Sequence, residues 1–147
     1  MSQQKRPRVD FYKLNSNNRT SINRFCCQLA DKVFRIGVPI FVKTKDPAET
    51  RLMDELMWTF KDNSFLPHSV VGEEADTQAP IFIGHHLPDS PFYLLINLGD
   101  DLPGNIERYQ RIAEIINTAP QTLQHGRVRY SAYKKAECSL HFHEITT

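Results

Sequence analysis

Residues 38–44, VPIFVKT, set the strongest constraint on how this chain can fold. The run is apolar without alternation and rich in β-branched side chains. That pattern suits a strand buried on both sides, as in a parallel sheet covered by helices on both faces. Parallel neighbours need a long crossover, and the preceding segment supplies one. Residues 9–14 (VDFYKL) read as a first strand and residues 15–18 (NSNN) as a turn. From Thr20 onward Ile22, Phe25, Cys26, Leu29, Val33 and Phe34 recur at three- and four-residue intervals, the apolar stripe of an amphipathic helix, which Gly37 ends. The opening unit is β-α-β.

The alternation continues. Asp46 can cap a second helix, Pro47 fits its first position and Glu49 completes a capping-box arrangement. Leu52, Met53, Leu56 and Met57 carry its apolar face toward Trp58. After a polar loop around 72–78, residues 79–84 (APIFIG) and 91–98 (PFYLLINL) read as strands spaced closely enough to pair antiparallel. Residues 107–117 predict a helix with Tyr109, Ile112, Ala113 and Ile116 inward. Residues 122–135 predict a last helix despite Gly126, and a strand near 138–142 follows. The expected fold is α/β: three layers, with a Rossmann-like, mostly parallel sheet between helices. A length of 147 residues suits a single α/β domain over 1–147, with no internal repeat.

Such a sheet invites a nucleotide, and the glycines argue against one. Glycine occurs only at 37, 72, 84, 99, 104 and 126, without the spacing of a dinucleotide or P-loop motif, and the turn after the first strand has none. No cofactor is expected. His85-His86 and the pair His141 and His143 lack a third metal ligand, and exposed strand-end histidines are usually solvated. Cys26-Cys27 reads as two small buried hydrophobes, and Asp100-Asp101 as part of a polar turn. No catalytic constellation emerges. Eighteen basic against seventeen acidic residues leave a net charge of +1, too balanced for coating nucleic acid. Three cysteines fit a reducing cytoplasm better than a disulfide framework. Neither a signal peptide nor a membrane span is legible, so a soluble intracellular protein is expected.

Two stretches remain. Residues 57–68, MWTFKDNSFLPH, crowd Trp58, Phe60 and Phe65 where a helix gives way to a turn, and composition favours the core for them. Residues 125–135, HGRVRYSAYKK, place Arg127, Tyr130 and Lys134 on one helical face. That face suits an acidic peptide with an aromatic anchor, or a phosphate backbone with a stacking base. The plain alternative is a solvated basic helix end with Tyr130 or Tyr133 in the core.

VDFYKL, the helix from Leu52 to Trp58 leading into SFLPH, APIFIG followed by FYLLINL, and RVRYSAYK occur here in an order that resembles the chi subunit of bacterial DNA polymerase III. The likeness spans nearly the whole chain, and the W-x6-F-x-P-H spacing from Trp58 to His68 is its most specific element. The resemblance implies a non-enzymatic replisome adaptor with a Rossmann-like fold and no nucleotide site, cytoplasmic and associated with the nucleoid at replication forks. One face would join the psi subunit of the clamp loader through Trp58 and Phe65, a face the family can also use for a repair helicase. Another would hold the acidic C-terminal tail of single-stranded DNA-binding protein through Arg127 and Tyr130, with Ala119 near an apolar wall. Contact with DNA would be mainly indirect. A basic residue that relatives can carry one turn before the arginine is replaced here by Leu123 and Gln124, which leaves Arg129, Lys134 or Lys135 to compensate. The rival readings are direct single-stranded nucleic-acid binding through Arg127 and Tyr130 and, more weakly, a small hydrolase or nucleotide enzyme.

Overall fold

The structure, a computed structural model, describes residues 6–60, 67–71 and 80–146. Among these, seven strands form one sheet: β1 (Arg8–Leu14), β2 (Ile40–Lys43), β3 (His68–Val70), β4 (Ile81–Gly84), β5 (Phe92–Asn97), β6 (Tyr109–Ile116) and β7 (Ser139–Ile145). Their order is β3-β4-β2-β5-β6-β1-β7, and every pairing is parallel. Three helices cover it: α1 (Arg19–Phe34), α2 (Pro47–Thr59) and α3 (Pro120–Lys135).

β2 explains its own sequence. Ile40 and Val42 join Ile22, Cys26, Met53 and Met57 of α1 and α2 in one core cluster. Phe41 points the other way and joins Val9, Phe11, Ile112 and Tyr133 of α3 in a second. None of the three strand residues is more than 1% exposed, so both faces demand apolar side chains and no alternation survives. The layers are therefore helices α1 and α2, the sheet, and helix α3.

Local signals start the helices, Asp46 as expected and Asn18 from within the predicted turn. The Asn18 side chain accepts from the Ser21 amide at 2.9 Å, and Asp46 accepts from the Glu49 amide at 2.9 Å with Pro47 in the first turn of α2. Cys26 and Cys27 are fully buried, and burial pushes the Cys27 thiol up to about 12, so both behave as hydrophobes. Leu52 departs from its expected place. It is 54% exposed, and buried Thr50 shares the inward face with Met53 and Met57.

Two expectations are corrected. Residues 107–117 form no α-helix: a 3₁₀ turn at Ile106–Arg108 leads directly into β6. β6 lies between β5 and β1 and is buried continuously from Ile112 to Ile116, so its apolar positions do not alternate and mimic a helical stripe. The β-branched Ile112, Ile115 and Ile116 were the better guide. The closely spaced β4 and β5 do not pair with each other, since each flanks β2 in parallel. β4 has four residues, and the extended reach of residues 85–91, about 3.3 Å each, is enough to carry the chain back without a helix. The short edge strand β3 gave no sequence signal of its own.

Candidate functional site

The carboxyl half of the sheet positions α3. Gly126 faces the sheet, where an added Cβ would lie 2.9 Å from Cγ2 of Ile116. A glycine within a helix costs about 1 kcal/mol in propensity; here its missing side chain lets α3 settle onto β6. Beneath α3 a polar network is sealed from water. Glu114, fully buried on β6, accepts from Arg129 Nε at 2.9 Å, from the Tyr133 hydroxyl at 2.6 Å and from Asn97 Nδ2 at 2.9 Å. Burial raises the Glu114 carboxyl above its ordinary value, while the Arg129 charge and these hydrogen bonds pull it down.

Alongside this network, between α3 and strands β1 and β7, runs a groove of about 320 Å³. Phe11, Ile116, Leu123 and Gly126 contribute apolar surface. Tyr130, 37% exposed, stands edge-on to Phe11 with ring centroids 5.2 Å apart. Phe142, 51% exposed, lies opposite Phe11 in the β1–β7 register. Two cations complete the lining, Arg127 from α3 and Lys13 from β1. A concave apolar surface with two positive groups accommodates a ring and carboxylates together.

Of the residues singled out from sequence, Arg127 and Tyr130 meet in this groove. Lys134 is exposed on α3 beyond the groove lining, and Ala119 is the half-buried N-cap of α3, its amide donating to Asn117 Oδ1 at 3.1 Å. Arg129 is a correction. It is 5% exposed, bonded to Glu114 and, through Nη1, to the Asp100 carbonyl at 2.9 Å, so it faces away from the groove and cannot replace a missing surface cation. Tyr133 is the tyrosine that enters the core. Sequence reasoning missed Lys13, Phe11 and Phe142 as groove residues because β1 and β7 meet α3 only in three dimensions, and Leu123, one turn before Arg127, was read only as a missing cation.

At the other edge of the sheet Trp58 ends α2. Its indole is 53% exposed and lies edge-on to His68 at 5.0 Å, which corrects the expectation of a core position. His68 Nε2 bonds Asp54 Oδ1 at 2.8 Å, one helical turn before Trp58. Phe65 lies outside the described residues. The remaining histidines go separate ways: His143 bonds Asp10, His141 bonds Ser139, His85 packs on His86, and His125 lies 3.9 Å from Asp100.

Comparison with known proteins gives this arrangement its context. The family described as DNA polymerase III chi subunit, HolC, matches residues 7–141. DNA polymerase III subunit chi of Pseudomonas aeruginosa is 30% identical over 138 residues, covering 94% of this chain and 96% of the relative. The subunit chi of Haemophilus influenzae is 27% identical over 83% of this chain and 86% of its own length. That of Escherichia coli is 24% identical over 88% of this chain and 92% of its own.

Proposed function

The chain belongs to the family of DNA polymerase III chi subunits, and from that premise we propose that it is a non-catalytic adaptor with two protein-binding faces. The groove beside α3 takes the acidic C-terminal tail of single-stranded DNA-binding protein. The Trp58 end takes the psi subunit, and through it the clamp loader; a repair helicase is a further occupant of that end. The adaptor works in the cytoplasm at replication forks, meets DNA mainly through its partners and is a single α/β domain. Among the described residues, no helix is long and apolar enough to cross a membrane.

The groove carries this reading. A tail ending in an aromatic residue presents a ring, side-chain carboxylates and a terminal carboxylate, and the groove presents Phe11, Tyr130 and Phe142 beside Lys13 and Arg127. Arginine pairs with a carboxylate through two parallel hydrogen bonds, which lysine cannot reproduce. Single-stranded nucleic acid is the rival occupant, because a base can stack where the ring would sit.

The test measures binding of an acidic peptide with a terminal Phe, the same peptide without that Phe, and a bare oligonucleotide. Only the intact peptide should bind well at physiological salt. Arg127→Ala should weaken it by about 1.5–3 kcal/mol, the range for a charged hydrogen bond, with thermal stability unchanged because Arg127 is exposed. Equal binding of the truncated peptide would overturn the proposal, and tight, Arg127-dependent oligonucleotide binding would favour the rival.

A further inference from the structure

The first turns of α3 have a second depression on their other side. It lies at the carboxyl ends of β5 and β6, holds about 170 Å³ and is lined in part by Arg19, Lys45, Asp100, Thr122, His125 and Arg129. Leu123, Gly126 and Arg127 of the same helix turn toward the tail groove. The two sites therefore flank one helix. A helix is about 10 Å across, so a chain passing over it from one site to the other covers about 16 Å, a path that about five extended residues span.

The charges in this pocket are unevenly satisfied. Arg129 is bound to buried Glu114, and Arg19, which also lines the pocket, donates to the Leu98 carbonyl at 2.7 Å. Lys45 and His125 share one carboxylate, that of Asp100, at 3.7 and 3.9 Å. These distances exceed the 2.7–2.9 Å of a good charge-assisted bond, and Asp100 is 47% exposed, so the contact is weak. The pocket thus accepts a carboxylate without holding its own one firmly.

We infer that this pocket receives the acidic segment preceding the partner's terminal ring, and that the Asp100 carboxylate occupies it in the free protein and yields to the incoming one. The inference rests on the groove being the tail site. It predicts a gain of function. Removing the Asp100 charge leaves Lys45 and His125 open to the partner, so Asp100→Asn binds the tail more tightly although a contact within the protein has been deleted.

The experiment compares the full chain's affinity for three synthetic peptides: a short one with a terminal Phe and the two or three residues before it, a long one extended by several Asp residues, and the long one with those Asp replaced by Asn. The long acidic peptide should bind several-fold more tightly than the other two. Lys45→Ala should lower its affinity toward that of the short peptide, and Asp100→Asn should raise it about two- to fivefold, the size of an exposed ion pair. Neither substitution should alter binding of the short peptide. Equal affinity of long and short peptides, or a weaker long-peptide complex in Asp100→Asn, overturns the inference. If deleting the terminal Phe from the long acidic peptide leaves its affinity unchanged, the groove reading fails; if the ring is needed and the extension adds nothing, only this inference falls.

Discussion

At the β7 edge, exposed Tyr130 and Phe142 rise from a floor of core residues, with a buried ionic network directly beneath the helix that carries Arg127. At the β3 edge, Trp58 leans on the imidazole of His68 at the end of a helix, and the partly exposed carboxylate of Asp54 holds that buried imidazole. The first surface is concave, charged and continuous with the core. The second presents an aromatic ring at a helix terminus. A groove of that kind positions a flexible chain at several points, whereas a protruding ring suits a partner that brings its own pocket. The difference also predicts how each side fails.

The largest effect is expected beneath the groove. Glu114→Ala leaves Arg129 buried without its counter-ion and should cost about 3–5 kcal/mol of stability in chemical denaturation. Asp54→Ala at the other edge takes a hydrogen bond from the buried His68 side chain and should cost about 1–3 kcal/mol. Similar losses for the two variants would break the contrast between a core-supported site and a peripheral one.

An intermediate effect concerns recognition. Trp58→Ala should weaken binding of the psi subunit by about 2 kcal/mol, the size of an interface anchor, while the unfolding midpoint moves little because the indole is half exposed. Calorimetry with the acidic peptide should show the groove unaffected. A large loss of stability with psi binding retained would make Trp58 a structural residue.

The smallest effect is a pH dependence under the β7 edge. Burial tends to raise the Asp10 carboxyl, but hydrogen bonds from Arg111 at 2.7 Å, His143 at 2.8 Å and Arg8 at 3.1 Å leave it below its ordinary value of 3.8. A carboxylate lowered on folding stabilises fully above the unfolded value, and that stability is lost as pH falls through the folded one. Asp10→Asn should therefore flatten the decline in stability below pH 3.8. An unchanged acid limb in the variant would show that Asp10 does not contribute to it.

Sequence carried the fold wherever the signal was local. The Asp46 cap, the α1 stripe and the unalternating β2 run each state their structure within a dozen residues. The reading failed at β6, because a strand buried on both faces has no period to distinguish it from a helix. At the site, Arg127 and Tyr130 were legible because one helix face carries both. Lys13 and Phe142 were not, since only the β1–β7 register brings them to that helix. The Arg129 error has a related cause: helical spacing puts it on the face opposite Arg127, but only the fold shows that this face meets the buried Glu114.

The position of β1 has a consequence for synthesis. Its two neighbours are β6 and β7, the last strands of the chain to be made. At roughly 5–20 residues per second on the ribosome, β1 emerges several seconds before either partner exists. Chains interrupted before Tyr109 therefore have no groove, however well their middle strands have paired. The groove is thus a property of chains that have reached β7, and shorter nascent fragments lack it.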